Sequence, residues 1–252
     1  MKCTFLGTGT SMGVPVAGGF GSEMIKSDPR NQRYRCSVWV QTKDTSVVID
    51  TGPEFRLQTI RSGIKWIDLV LITHEHMDHI AGLDDLRAYN YSQQGTIPLY
   101  SSQQAIDSIK RRFEYMFGEN KYPGSTSVEM KVMNGSTRFR DIEITPLRYN
   151  HGHIDVQGYR LNDFSYLTDV KSIPKETMEK IEGSKVLVLS GLRWEPKHPT
   201  HLTIPEAVEV ANKLGVPKTY LIHMNAYVDH DDSNRRLPDH VRLAYDQLEI
   251  TL

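Results

Sequence analysis

Apolar and polar positions in the first part of the chain alternate in short runs. "CTFLG", "CSVWVQT", "SVVIDTG" and "DLVLITH" are rich in Val, Ile, Thr and aromatic side chains, and each ends at a turn or polar signal. Such runs predict sheet strands. Apolar residues at helical spacing appear in "PEFRLQTIRSG", "DHIAGLDDLRAYNY" and "SQQAIDSIKRRFEYMFG", the first and last of which stop at glycine. The second half repeats the alternation, with strands predicted in "IEITPLRYN", "VQGYRL", "FSYLTD", "KVLVLSGL", "KTYLIHM" and "LEITL", and a helix in "IPKETMEKIEG". In "THLTIPEAVEVANKLG", Thr203 and Glu206 have the spacing of a capping box, Pro205 falls in the first turn and Gly215 supplies the stop. Two similar halves, each of strands followed by helices, predict two sheets packed face to face with helices outside. Between the first two strands lies a polar loop, Ser11 to Arg35, with four glycines and two prolines. Loops longer than about 15 residues are usually functional or disordered.

The 252 residues, 38% of them hydrophobic, suffice for one buried core, and no linker or low-complexity stretch divides them. A single domain over residues 1–252 is expected. With 30 basic against 31 acidic residues the net charge is -1, which provides no broad field for nucleic acid or an anionic membrane. Cys3 and Cys36 are the only cysteines, too few for a disulfide framework or a Cys-rich zinc module, and suited to a reducing compartment. The opening "MKCTFLGTGTSMGVP" reaches glycine after six residues, and no run of 18 apolar residues occurs. A soluble, cytoplasmic protein is expected.

The chemistry is concentrated in "HEHMDH", where His74, His76, Asp78 and His79 sit between an apolar strand and a helical pattern. Side chains two apart in extended chain project to one side, and a carboxylate at a helix start is favoured by the helix dipole. Imidazole with carboxylate suits Zn, Mn or Fe rather than Mg or Ca. Further donors stand at three strand ends: His151, Asp169 and His223. Each of these alone would read equally well as a satisfied turn residue.

H-x-H-x-D-H followed by separate His, Asp and His strand ends resembles the metallo-β-lactamase superfamily of dinuclear metallohydrolases, over nearly the whole chain. The resemblance implies an α+β fold, a four-layer αββα sandwich. It implies one metal held by His74, His76 and His151, a second by Asp78, His79 and His223, and Asp169 bridging both. Asp50 in "VVIDTG" resembles the superfamily's early aspartate, which supports the ligand loop from behind and orients a histidine. "THEHMDHIAGLDDLR", "HPTHLTIPEAVEVANKLG" and "RRLPDHVRLAYDQLEI" together resemble the phosphodiesterase branch, the PhnP-type phosphoribosyl cyclic phosphate phosphodiesterases, with tRNase Z more distant. In that branch a histidine just before a helix faces the scissile phosphate, and His201 holds that position here. The resemblance thus implies a metal-dependent phosphoric diester hydrolase that cleaves a small cyclic phosphate or phosphodiester with a metal-bound hydroxide. His201 would protonate the leaving oxygen and Asp78 would relay a proton from the water. Two cations about 3.5 to 4 Å apart supply nucleophile and charge neutralisation together. Zinc is the first choice of metal and manganese the second.

Arg193, Arg33 and Arg35 are candidates for phosphate contact, because a guanidinium meets phosphate oxygens in a two-pronged way. His198 and His153 are expected on the pocket wall. The chain departs from the PhnP type in the first long loop, which lacks the cysteine cluster of a structural zinc site, while Ala226 stands where the accompanying histidine would be. That loop is therefore expected to be less tightly held. The alternatives are a tRNase Z-like endoribonuclease and a non-catalytic metal-binding scaffold of the same fold. "DPRNQRYRCS" has a faint likeness to the basic motif of tRNase Z, but the balanced charge argues against nucleic acid as the partner. Dimers occur among similar proteins, so a homodimer is compatible with this reading.

Overall fold

The computed structural model describes residues 1–118, 121–122 and 124–252. One seven-stranded sheet has the order β14-β1-β2-β3-β4-β5-β6. Its strands are β1 (Lys2–Gly7), β2 (Ser37–Gln41), β3 (Ser46–Ile49), β4 (Leu69–Leu71), β5 (Ile97–Ser101), β6 (Val128–Val132) and β14 (Glu249–Thr251). The other has the order β13-β12-β11-β10-β9-β8-β7. It contains β7 (Thr137–Phe139), β8 (Ile142–His151), β9 (Ile154–Leu161), β10 (Phe164–Leu167), β11 (Val186–Ser190), β12 (Lys218–Ile222) and β13 (Val241–Leu243). Each sheet is antiparallel in one half and parallel in the other.

Phe5, Val38, Val47, Ile49, Leu69 and Leu71 of the first sheet meet Ile144, Tyr159, Leu161, Tyr166 and Val188 of the second in a shared inner core. The helices cover the outer faces. On the first sheet these are α2 (Phe55–Ser62), α4 (Leu86–Gln93) and α5 (Gln103–Arg112), preceded in the chain by α1 (Ser22–Ser27), with α3 (Met77–Ile80) between α2 and α4. On the second sheet lie α6 (Lys175–Ile181) and α7 (Ile204–Leu214), followed by α8 (His230–Arg236). The αββα sandwich expected from the sequence is the architecture observed. Burial on both faces explains the unbroken apolar runs of β3 and β4: Val47 and Ile49 point inward while Val48 points to the helices, and Leu69 and Leu71 are set against Val70 and Ile72 in the same way. Among the described residues, no helix is long and apolar enough to cross a membrane. Both cysteines are buried and free.

α7 has the anticipated capping box, with the Thr203 hydroxyl accepting from the Glu206 amide and Gly215 left-handed at the stop. The periodic stretch "DHIAGLDDLRAYNY" does not form one helix. It breaks into α3, a 3-10 turn and α4, because Gly82 lies backbone to backbone on Gly52: a Cβ at Gly82 would come within 2.2 Å of the Gly52 carbonyl oxygen. "SQQAIDSIKRRFEYMFG" is helical only to Arg112 and then tightens into a 3-10 turn before Gly118. β5, β6, β7, β13, α1 and α8 carried no clear signal, being short, at a sheet edge, or interrupted by Pro98 in the case of β5.

The Ser11 to Arg35 segment is tied down at its two ends, around Val14 and Arg33, while α1 between them buries no residue. Val14 and Arg33 exchange both backbone hydrogen bonds, at 2.8 and 2.9 Å. Arg33 is 1% exposed, and its guanidinium donates to the Val228 carbonyl at 2.8 Å and to Asn31 Oδ1 at 2.9 Å. Asn31 in turn donates to Asp229, and Arg30 pairs with Asp28 and Asp231. A polar clasp between this segment and residues 225–231 does the work of tethering.

Asp246 is buried on the first sheet's side of this clasp, where it accepts from the Thr8 hydroxyl at 2.8 Å and the Tyr34 amide at 2.7 Å. Burial pushes its carboxyl up to about 7. Between about pH 4 and 7 the folded chain holds a proton there that the unfolded chain has released, so stability falls as pH rises through this window. Asp246→Asn keeps an acceptor for Tyr34 and can donate to Thr8, and it cannot ionise. Its stability relative to the parent is expected to rise from pH 5 to pH 7 by at most ~1.4 kcal/mol per pH unit, as measured by urea denaturation; a pH-independent difference would contradict the assignment.

Candidate metal centre

The chemistry-bearing residues collect at one edge of the sandwich for a topological reason. Asp50 follows β3, the 74–79 segment follows β4, His151 ends β8, Asp169 follows β10, residues 191–203 follow β11, and His223 follows β12. β3 and β4 are parallel, as are β10, β11 and β12, and β8 shares their direction because both β8 and β10 run antiparallel to β9. All these C-terminal ends therefore open on the same side. The loops there are tightly built. The Thr51 amide donates to the His79 carbonyl at 2.7 Å and the Gly82 amide to Thr51 at 2.9 Å, and a Cβ at Gly52 would lie 2.3 Å from the Asp78 carbonyl oxygen. Asp50, Asp169 and His223 all have left-handed backbones, with φ of 63°, 55° and 61°. Non-glycine residues rarely take this conformation, and it costs on the order of 1–3 kcal/mol each unless the surroundings enforce it.

Three ligand groups emerge from the donor atoms: His74, His79 and Asp169; Asp78, His79 and His223; and His151, Asp169 and His201, each set lying within 4.8 Å. These are residues that could hold metal ions. They include six of the seven expected ligands and add His201. Asp169 stands in two of the groups. His76 belongs to none of the three, although its Nδ1 lies 3.0 Å from His74 Nε2, the two rings pair edge to face, and its ring is 5.5 Å from that of His151.

Hydrogen bonds fix which nitrogen faces inward. His79 Nδ1 lies 2.8 Å from Asp50 Oδ2, and His151 Nδ1 lies 2.8 Å from the Thr200 carbonyl oxygen. Neither partner can donate, so both Nδ1 atoms carry the proton. The Thr73 hydroxyl donates to Asp50 and so receives the His74 Nδ1 proton at 3.1 Å. In all three rings Nε2 is thereby the nitrogen turned to the centre, where that of His74 meets His76 Nδ1 at 3.0 Å. Thr73, which sequence reasoning missed, is the hinge of this arrangement; its only signal was its place just before His74. Asp50 is fully buried behind His79 and accepts from the Thr73 amide at 2.8 Å. Asp50→Asn would set an amide donor against either the Thr73 amide or His79 Nδ1. A 10- to 100-fold loss of metal affinity is expected, read by titration against a competing chelator.

The charges are strongly coupled. Burial raises Asp78 and Asp169, but the neighbouring His79 and His223 outweigh it and hold both carboxyls below their usual range. Burial would lower His79, yet Asp50, Asp78 and Asp169 around it hold it well above the ordinary histidine value. His79 Nε2 lies 3.2 Å from Asp78 Oδ2 and 3.1 Å from Asp169 Oδ2 without hydrogen-bonding geometry to either. His223 Nε2 is likewise 2.9 Å from Asp169 Oδ1, and neither of its ring nitrogens has a hydrogen-bond partner. Such orphaned, buried donor atoms converging on shared carboxylates are what a cation would satisfy. His201 stacks on His223 with 4.7 Å between centroids and lies 4.5 Å from the His151 ring. Burial, and then His223, push it down to about 3.

The arginines divide. Arg33 is withdrawn as a phosphate contact, because its guanidinium is buried against the 225–228 carbonyls. Arg35 is also withdrawn: its charge is matched by Glu54 and its Nε donates to the Ser11 carbonyl. Arg193 remains at the rim, half-buried. His153 is exposed and belongs to none of the three donor groups.

Comparison with known proteins agrees with this geometry. Residues 45–224 match the family model of the beta-lactamase superfamily domain. A crystal structure titled as a new diphosphatase from the PhnP family superposes with a TM-score of 0.92 at 38% identity, covering 100% of this chain and 97% of that one. A Porphyromonas gingivalis protein named octanoyltransferase is 36% identical over 253 residues, 99% of this chain and 51% of its own length. A ribonuclease Z of Clostridioides difficile is 25% identical over 186 residues, 67% of this chain and 58% of its own. The chain spans about half the length of these curated relatives. The matched family model, together with the full-length match to the diphosphatase, places the chain in the beta-lactamase superfamily, as a relative of its PhnP-type phosphodiesterases.

Proposed function

We propose that this chain is a two-metal hydrolase acting on a small phosphodiester or cyclic phosphate. The observation that carries the reading is the set of inward-facing Nε2 atoms, fixed by Asp50, Thr73 and Thr200, around a carboxylate that two donor groups share. His74, His76 and His151 would hold one ion and Asp78, His79 and His223 the other, with Asp169 between them. Zinc is the first choice and manganese the second, since mixed imidazole and carboxylate donors serve both. When bound, a cation pair lowers the pKa of water and neutralises phosphate oxygens.

The chain's own groups supply the rest. Asp78, its carboxyl pushed up by burial but held below the usual range by His79, keeps 13% of its side chain exposed at the cluster's edge, where it can accept the proton of an attacking water. His201, its Nδ1 3.6 Å from Asp169 Oδ1 and without a hydrogen-bond partner, is placed to protonate the leaving oxygen. Burial and His223 hold the ring down in spite of Asp169, and the added negative charge of a substrate phosphate would favour its protonation. Thr200 holds the neighbouring His151 in place through its carbonyl.

The test is a turnover panel with metal-quantified protein: bis-p-nitrophenyl phosphate, cyclic ribose phosphates, cyclic nucleotides, a tRNA precursor, a thioester and a lactam. Turnover of the phosphodiesters with about two metals per chain is expected. Hydrolysis of the thioester or lactam alone would overturn the reading, and cleavage confined to the tRNA precursor would replace it with an endoribonuclease.

A further inference from the structure

The segment between β11 and α7 is a closed excursion. The Leu192 amide donates to the Leu202 carbonyl at 2.9 Å and the Ile204 amide to the Arg193 carbonyl at 2.8 Å, so its neck is pinned at both strands. Trp194 anchors one side, with Nε1 donating to Ser233 Oγ at 2.9 Å and the Arg236 guanidinium 3.6 Å above its ring. This rigid loop adds two imidazoles to His223, which follows β12: His201 at 4.7 Å from His223, then His198 a further 5.0 Å away, centroid to centroid, making a file of three.

The outer end of the file is organised for an anion. His198 Nδ1 accepts from the Thr200 amide at 3.3 Å and lies 3.2 Å from the Thr200 hydroxyl, which leaves Nε2 as the protonated nitrogen, free to donate. Arg193 uses Nε on the Pro196 carbonyl at 2.9 Å. Among the described residues no carboxylate comes within 4 Å of its guanidinium. The bond to Pro196 ties Arg193 to the loop two residues before His198, and after burial its charge is the next influence lowering the His198 ring. Lys171 and Lys197 share a single carboxylate, Glu206, at 3.7 and 3.6 Å, so the surroundings keep a positive excess.

We propose that Arg193 and His198 form a second anion subsite, one imidazole beyond His201, which receives a phosphate attached to the leaving oxygen. The inference rests on the reading of the centre as a phosphodiester hydrolase, and it narrows the substrate to a diphosphate-linked compound. Water oxygen forms a bond to the inner phosphorus, and the bond from that phosphorus to the bridging oxygen breaks. The electron pair stays on the outer phosphate, which His201 can protonate, and the water's proton passes to Asp78. The products are two phosphate monoesters. A planar guanidinium fork and an N–H on the outer side match the oxygens of that leaving phosphate.

The experiment compares ADP-ribose, a diphosphate diester, with bis-p-nitrophenyl phosphate, which has no second phosphate, on metal-loaded parent, Arg193→Ala and His198→Ala proteins. A charge-assisted hydrogen bond implies that Arg193→Ala reduces kcat/KM for ADP-ribose by about tenfold to a hundredfold more than for bis-p-nitrophenyl phosphate, with His198→Ala acting in the same direction. Equal losses on both substrates, or none, overturn the subsite. If the parent turns over neither substrate, the proposed activity has failed, and the subsite is read instead from binding. ADP should then bind more tightly than AMP to the parent, and Arg193→Ala should erase that preference. The absence of any ADP preference in the parent would equally overturn it.

Discussion

On the proposed two-metal reading, Asp169→Asn protein is expected to hold no more than one metal ion per chain and to lose on the order of 10³-fold or more in kcat, since a cation pair would supply several kcal/mol of charge stabilisation. Asparagine is the informative substitution. It tolerates the left-handed backbone found at this position, φ 55°, and its amide can still accept the hydrogen bond that the Thr168 hydroxyl gives to Asp169 at 2.8 Å. What it lacks is the second anionic oxygen, which faces His223 Nε2 at 2.9 Å while the first faces His79 Nε2 at 3.1 Å. Elemental analysis after dialysis reads the stoichiometry and steady-state kinetics the rate. Two retained equivalents with activity within tenfold of the parent would remove Asp169 from its central place. Chelation of the parent should reproduce the loss, and restored metal should reverse it.

The second large effect is expected at His201. Replacing it with alanine should lower kcat by about 10² to 10⁴-fold, the range for a proton donor acting in the transition state, with metal content unchanged. The structure makes this a sharp test, because His201 also falls into a donor group with His151 and Asp169. If its role were ligation, metal would be lost along with activity. If it donates a proton, the penalty should be small for p-nitrophenolate as leaving group and large for an alkoxide, which needs the proton more. A leaving-group series on His201→Ala therefore separates the two roles.

The residues themselves determined much. Strand and helix periodicity in "DLVLITH" and "THLTIPEAVEVANKLG" is a local property, so the layers could be read before any packing was known. The crowding of His74, His76, Asp78 and His79 is likewise local, because a strand end and a short helix present them together. His151, Asp169 and His223 could be singled out as strand-end donors, and resemblance linked them to the cluster. Only the tertiary structure decided how they meet, since β8, β10 and β12 of the second sheet and β3 and β4 of the first must end at one edge for the residues at their ends to converge.

Tertiary structure also decided the fate of groups whose type alone is ambiguous. Arg33, Arg35 and Arg193 are alike in sequence, yet one is buried on backbone carbonyls, one is matched by Glu54 and one is left at the rim. The same holds for the "DHIAGLDDLRAYNY" helix, broken because Gly82 must lie on Gly52 from a distant turn, and for the first long loop, held by a clasp to residues nearly two hundred positions away. Periodicity and residue type report what a segment prefers by itself. Which polar group finds a partner, and which is left to meet a ligand, depends on surfaces that neighbour one another only after the chain has folded.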